Sequence, residues 1–248
     1  MGKKSQHLIN EEIDALVRSK DTFTDDEKAF IRLYSGSGGQ GSKGATGEGL
    51  LYEYYTPGEV AQVMYEIASK YGYKGGKILE PSCGTGELIR PAPDYSKVTA
   101  FEINPVSAKI ANILYPGITI HNGYFETAFL SPPRFTTREK NLTWLSRDYE
   151  LVIGNPPFGK YRNLYSSYFS RPKFAQIEMF FIYYAMELLK PGGVLVYLIS
   201  SNFMRNGSSY NESKSIIEKN TNFLDAYRLP PVMEFTQVPV DIIVLQKK

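Results

Sequence analysis

Short apolar runs alternate with amphipathic stretches along the chain. Residues 77–80, 98–102, 118–120, 149–153, 194–199 and 240–245 are brief runs rich in Val, Ile, Leu, Tyr and Phe, too short for helices and bounded by Gly, Pro or Asn, so they read as strands. Residues 223–229 read as a further strand. Between them lie helical stretches at 56–71, 104–115, 174–190 and 210–220, the third strongly apolar and closed by Pro191-Gly192-Gly193, the fourth read as exposed. Glu87-Leu88-Ile89 is expected to open another helix. Ahead of them, Ile13, Leu16 and Val17 stand at helical spacing, and Thr24-Asp25-Asp26-Glu27 is a capping box before Phe30, Ile31 and Leu33. Strand and helix in alternation predict an α/β fold with a mostly parallel sheet and two small helices packed on it.

In such sheets ligands gather at the C-terminal ends of strands, so residues directly after each run carry the candidate chemistry. After 77–80 comes Pro81-Ser82-Cys83-Gly84-Thr85-Gly86, a Gly-x-Gly turn where backbone can approach a ligand closely. It lacks the third glycine of a dinucleotide fingerprint and any phosphate-gripping Lys-Ser/Thr, which points away from NAD and ATP. The second run ends on Glu102, an acid placed to take the two hydroxyls of a ribose. The fourth ends in Asn155-Pro156-Pro157-Phe158. Two prolines stop the ladder there. The Asn155 amide oxygen and the Pro156 carbonyl can accept both hydrogens of an amino group, while Phe158 can stack on a ring. Thr56, Pro57 and Glu59 are expected at N-cap, N1 and N3 of a helix whose first amides suit a carboxylate. The glycine-rich residues 36–49 read as a flexible linker or lid, without Walker spacing.

Composition narrows the picture. The 248 residues suit one α/β domain with a small appendage, and 42% hydrophobic content supplies a core. Cys83 is the only cysteine, so an intramolecular disulfide and a multi-cysteine zinc site are excluded. No run reaches membrane-spanning length and no signal-like start is present, so a cytoplasmic location is expected. A net charge of +2 favours no partner class. Locally, Lys160, Arg162, Arg171 and Lys173 interleave with tyrosines just after Phe158, the pattern of a rim that grips phosphate and stacks bases. Residues 131–148 read as an insert with Arg134, Arg138, Lys140, Trp144 and Arg147. His7 and His121 are not read as catalytic.

Three stretches in this order resemble a known family. Tyr54-Tyr55-Thr56-Pro57, then Leu79-Glu80-Pro81-Ser82-Cys83-Gly84-Thr85-Gly86, then Asn155-Pro156-Pro157-Phe158 look like the gamma motif order of S-adenosylmethionine-dependent N6-adenine DNA methyltransferases. The match covers about 50–248, and Leu33 to Gly39 looks like the lead-in of methylase modules in phages and mobile elements, some beside helicase segments. The resemblance implies a Rossmann-like class I fold, with a mostly parallel seven-stranded sheet and helices on both faces. It divides the chain into N-terminal helices and linker (1–49) and a catalytic domain (50–248), with no separate target-recognition domain evident.

The resemblance also implies roles. Thr56 and Pro57, with the turn of Cys83, Gly84 and Gly86, would hold the cofactor's methionine end, and Tyr55, Glu80, Pro81 and Ser82 would belong to the same cofactor site. Glu102 would take its ribose and Ile103 would lie beside its adenine, with Tyr124, Phe125 and Asn155 completing the site. Asn155, Pro156, Pro157 and Phe158 would receive a flipped adenine, stacked between Phe158 and Phe235. The family usually has an acid for the cofactor's adenine amino group where Tyr124 stands here; Glu126 or a backbone group are the alternatives. The cofactor's methyl is already activated, so no metal is called for. DNA is the implied partner. Recognition would fall to 131–148, to 160–173, to the N-terminal helices, or to a separate recognition subunit or helicase partner. Similar turns serve methylases of RNA adenine and of protein glutamine, and a fold retained as a silent binding module is a further alternative.

Overall fold

The computed structural model describes residues 5–35, 56–138, 143–205, 208–230 and 239–248. The glycine-rich stretch, Tyr55, Lys140 and Phe235 lie outside the described residues. The strands are β1 (Ile78–Glu80), β2 (Val98–Glu102), β3 (Thr119–Asn122), β4 (Tyr149–Gly154), β5 (Leu189–Ser200), β6 (Thr221–Arg228) and β7 (Val240–Lys247). The helices are α1 (Gln6–Ser19), α2 (Asp25–Ile31), α3 (Gly58–Lys70), α4 (Pro105–Leu114), α5 (Ile177–Leu188) and α6 (Ser208–Glu218). Among the described residues no helix is long and apolar enough to cross a membrane.

The strands form one seven-stranded sheet in the order β3-β2-β1-β4-β5-β7-β6. β1 to β5 run parallel, and β7 is antiparallel to both β5 and β6. Alternation along each strand divides the core between two faces. Leu151, Ile153, Val194, Val196, Leu198, Ile242 and Val244 pack with α3, α4 and buried residues of α1 and α2. Val152, Leu195, Tyr197, Ile199, Ile243 and Leu245 pack with α5 and a dense set of aromatic rings. Ile13, Val17 and Ile31 are buried in the first layer, so the N-terminal helices share the main core. Thr24 closes the expected capping box with Glu27.

Four local expectations are corrected. No helix follows Gly86: turns carry the chain from Glu87 to Asp94, because Pro91 and Pro93 deny it the residues a helix needs. Pro57, not Thr56, is the N-cap of α3, and no side chain caps that helix. α5 starts at Ile177 because Ala175 accepts from the Tyr161 N–H at 2.9 Å, holding 174–176 extended against 160–161. α6 is not exposed throughout, since Ser213 and Ile217 are buried.

Candidate active site

β1 and β4 lie side by side, Ile78 opposite Leu151 and Leu79 opposite Val152. β2 follows β1 on the other side, so the strand order reverses between β1 and β4, and a cleft opens at their C-terminal ends. The Pro81–Gly86 loop leaves one lip and Asn155–Phe158 leaves the other. The Ser82 hydroxyl lies 3.3 Å from the Asn155 carbonyl and joins the lips.

The loop is held from the next strand. The Cys83 N–H donates to the Phe101 carbonyl at 2.9 Å. Glu102 accepts the Gly84 N–H at 2.8 Å on one carboxylate oxygen and the Asn104 N–H at 2.7 Å on the other. Gly84 (φ 54°) and Gly86 (φ 94°) are both in the left-handed region. Gly86 is required for a different reason from the one expected: a Cβ there would sit 2.6 Å from Cε2 of Tyr115, so it makes room for a core ring rather than a ligand. Cys83 is buried and its thiol is pushed up by burial, then by the neighbouring Glu80.

Glu80 is fully buried. One carboxyl oxygen accepts from the Ser82 N–H at 3.2 Å and the Ser82 hydroxyl at 3.4 Å. Among the described residues the other oxygen has no partner, and neither do the buried hydroxyls of Tyr65 and Tyr197. Burial above all, with Glu102 adding to it, lifts Glu80 well above the usual carboxylate range against the pull of the Ser82 N–H. Glu80 therefore supports the loop from beneath.

On the expected adenine side, Ile103 is 40% exposed beside the loop, and Tyr124 meets Tyr165 edge-on with ring centroids 5.3 Å apart. Phe125 is corrected from cofactor contact to core: its ring is 1% exposed among Phe101, Phe129 and Phe181. Glu126 is equally buried and accepts from the Asn163 amide, so it ties the loop after β3 to the segment after Phe158. His121 packs against Phe101 and Trp144, and its burial lowers its pKa. Thr56 is buried just before α3. The first intrahelical bond there is Ala61 N–H to the Pro57 carbonyl, at 3.0 Å, so the amides before Ala61 have no intrahelical acceptor, the arrangement that suits an anion.

Around Asn155, Pro156 is buried and Phe158 is half-buried between the two core layers. A Cβ at Gly154 would be tightly placed, 3.0 Å from Tyr197 and 3.1 Å from Glu80, so the strand end packs closely on both. Directly after the turn, the Gly159 N–H donates to Glu178 at 3.1 Å, and Tyr210 donates to the same carboxylate at 2.7 Å. Burial raises Glu178, while these donors oppose the rise. Sequence reasoning passed over Glu178; the signal was a lone acid at the start of an apolar helix. Lys160, Arg162, Arg171 and Lys173 are all exposed. Much of the 131–148 insert is occupied with structure. Trp144 donates to the Thr127 carbonyl at 2.6 Å, Arg138 binds the Arg171 carbonyl at 3.1 Å and the Tyr184 hydroxyl at 2.6 Å, and Arg147 pairs with Glu187.

These residues fit S-adenosylmethionine. Glu102 stands half-buried at the end of β2 where a ribose diol would meet it, Ile103 offers an apolar flank, and among the described residues the first amides of α3 have no backbone acceptor.

Comparison with known proteins agrees. Residues 102–229 match the model of the Eco57I restriction-modification methylase family. The chain is 28% identical over 99% of its length to defense against restriction protein B of Escherichia phage P1, of which it covers 10%. It is 24% identical over 66% of its length to modification methylase CviBIII of Paramecium bursaria Chlorella virus NC1A, covering 41% of that protein. It thus spans only a tenth to two fifths of these relatives. Its fold matches the type I restriction-modification system methyltransferase subunit from Streptococcus thermophilus with a TM-score of 0.63, at 19% identity, covering 90% of this chain and 49% of that one. The chain therefore has the fold of class I S-adenosylmethionine-dependent methyltransferases and belongs to the Eco57I restriction-modification methylase family.

Proposed function

We propose that the protein methylates the N6 amino group of adenine in DNA, with the base flipped into the pocket of Asn155, Pro156, Pro157 and Phe158. The observation that carries this reading is the Ser82–Asn155 contact of 3.3 Å, which sets an amide, a proline carbonyl and an aromatic ring beside the cofactor loop at the strand-order reversal. Bound S-adenosylmethionine supplies a methyl group already activated for transfer to nitrogen.

The chain's residues do the rest. Glu102, the Gly84 loop, Thr56 and Pro57 would hold the cofactor, with Ile103 and Tyr124 flanking its adenine. An exocyclic amine is a poor nucleophile because its lone pair is delocalised into the ring. The Asn155 amide oxygen and the Pro156 carbonyl accept its two hydrogens, which favours tetrahedral nitrogen and stabilises the charge that develops. Phe158 stacks on the extruded base, with Phe235 as the second face, which compensates for lost stacking in the duplex. Lys160, Arg162, Arg171 and Lys173 would grip phosphates. The relatives are far longer than this chain, and its Arg138, Trp144 and Arg147 serve structure. Target recognition is therefore assigned to residues 160–173, to the N-terminal helices, or to a separate recognition subunit or helicase partner.

The test incubates the protein with methyl-labelled S-adenosylmethionine and duplex DNA, single-stranded DNA, RNA or protein extract, beside Asn155→Ala. Label recovered as N6-methyladenine in DNA, and lost in a variant that still binds the cofactor, is the expected outcome. Label in RNA or in protein glutamine moves the substrate to that class. Loss of cofactor binding by Asn155→Ala overturns the role of Asn155.

A further inference from the structure

Glu178 opens a helix whose next residues, Met179, Phe180, Phe181 and Ile182, are all buried. A carboxyl group is costly in such a place unless donors meet it. Two donors do, from separate parts of the chain: the Gly159 N–H at 3.1 Å and the Tyr210 hydroxyl at 2.7 Å. Gly159 is the residue directly after Phe158. Its φ of 110° lies in the left-handed region, and its carbonyl accepts the Ile177 N–H at 2.8 Å. Both backbone groups of Gly159 are therefore held by the first turn of α5. Tyr210 lies in the first turn of α6, so one carboxylate joins the exit of the Asn-Pro-Pro-Phe turn to two helices.

We propose that Glu178 is a positioning residue that clamps the main chain immediately beyond Phe158, and through Tyr210 links α6 to that turn. A turn with two prolines has few hydrogen bonds of its own. Its acceptors and ring must be fixed before the base arrives, because a displacement of about 1 Å costs on the order of a hundredfold in rate. Glu178 supplies that fixity without reaching the substrate. This role presupposes that residues 155–158 form the base-binding turn.

The test compares Glu178→Ala, Glu178→Gln and Tyr210→Phe in the full chain. It follows single-turnover methyl transfer at saturating cofactor, cofactor affinity, and amide hydrogen exchange. Glu178→Ala is expected to slow transfer by about tenfold or more, with cofactor affinity within about twofold. Peptides spanning 155–162 should exchange about tenfold faster while β4 is unchanged. Glu178→Gln keeps shape and an acceptor and should restore both readouts to within about threefold. Tyr210→Phe should speed exchange in α6 and slow transfer less than Glu178→Ala does. Unchanged exchange over 155–162 in Glu178→Ala overturns the clamp, and so does a transfer rate equal to wild type. A merely structural Glu178 would lower stability and leave the rate per folded molecule alone. If the wild type transfers no methyl to DNA, the adenine reading fails, and the exchange pattern alone still decides the clamp.

Discussion

The Ser82 hydroxyl stands between two acceptors, the Asn155 carbonyl at 3.3 Å and a Glu80 carboxyl oxygen at 3.4 Å. It has one proton to give, so the bond to Asn155 is one of two it can make. Ser82 and Asn155 are 73 positions apart and meet only because β1 and β4 are neighbours in the sheet. The cofactor loop and the proposed base-binding turn are thus one hydrogen-bonded unit. Ser82→Ala removes the tie while Glu80 still receives the Ser82 N–H. A net hydrogen bond is worth about 1 kcal/mol, so cofactor affinity is expected to fall by about fivefold and single-turnover transfer by a similar factor. Titration calorimetry with rapid-quench kinetics checks this, and a variant indistinguishable from wild type would show that the two lips act independently.

Glu102 holds the loop and is also the proposed ribose ligand. Replacing it by alanine removes acceptors from the Gly84 and Asn104 N–H groups as well as from the ribose. Hydrogen bonds to a charged acceptor are worth about 1.5–3 kcal/mol each, so Glu102→Ala is expected to weaken cofactor binding by roughly a hundredfold or more. Glu102→Gln keeps one acceptor and should lose about tenfold. Equal affinities for wild type and Glu102→Ala in calorimetry would remove Glu102 from the site.

Local patterns in the sequence disclosed most of the frame. The strand runs, the Thr24 capping box and Asn104-Pro105 at the start of α4 each depend on neighbours in the chain, and each is found as expected. The misread features depend on distant partners. Gly86 is required by Tyr115, and no turn pattern names a ring 29 positions on. Phe125 was placed at the cofactor because it follows β3, yet its neighbours Phe180 and Phe181 come from α5. Glu126 looked like a replacement acid for the Tyr124 position, and only the fold brings Asn163 onto it. For the basic insert the sequence leaves polyanion contact and a solvated loop equally open, and only the fold shows Arg138 and Trp144 binding the protein's own carbonyls. The placement of Glu102 and Asn155 was legible because a strand end fixes its own location. That of site residues in loops was not, because side-chain direction is decided by what packs behind them.

The Glu126 contact separates two acids that the sequence offered together. Glu126→Gln retains a group that can bind Asn163, so cofactor affinity is expected to stay within about twofold of wild type. Tyr124→Ala removes a half-buried flank and its edge contact with Tyr165, and aromatic stacking on a base is worth about 1–3 kcal/mol, so affinity should fall by about fivefold or more. Calorimetry on both variants decides between them. A tenfold loss in Glu126→Gln with none in Tyr124→Ala would return Glu126 to the adenine-binding role.

Gly86 offers a test of the packing argument that needs no substrate. Gly86→Ala sets a methyl 2.6 Å from the Tyr115 ring at a φ of 94°. That ring is fully buried and its hydroxyl accepts a hydrogen bond from Arg32 at 3.0 Å, so moving it aside disturbs core packing. Strained backbone and overpacking each cost about 1–3 kcal/mol, and a chain of this size loses about 2–4 °C of Tm per kcal/mol, so Tm should fall by roughly 5–10 °C. Gly192→Ala, at φ 76° with nothing within 4 Å of the added Cβ, meets only the left-handed penalty of about 1–2 kcal/mol and should lose less. Equal Tm losses would mean that Tyr115 yields.

The buried Glu80 makes stability depend on pH in a defined direction. Its carboxyl is lifted well above the usual range by burial, so the folded protein keeps a proton that the unfolded chain releases at about pH 4.3. Below that pH both states are protonated and Glu80 contributes no slope. Above it the folded state binds more protons than the unfolded one, so stability falls as pH rises, by up to about 1.4 kcal/mol per unit, until the folded group itself ionises. Glu80→Gln removes the titration and keeps an acceptor for the Ser82 N–H. The variant should gain on wild type steadily from about pH 5 upward in urea titrations at successive pH values, because contributions from Glu178 and other groups are common to both proteins and cancel. Parallel stability curves would mean that Glu80 is ionised in the folded state, which would require a donor for its second oxygen. Cofactor affinity of Glu80→Gln within about threefold of wild type would fit a neutral support beneath the loop, whereas a loss of about a hundredfold would assign Glu80 a charge that the bound ligand needs.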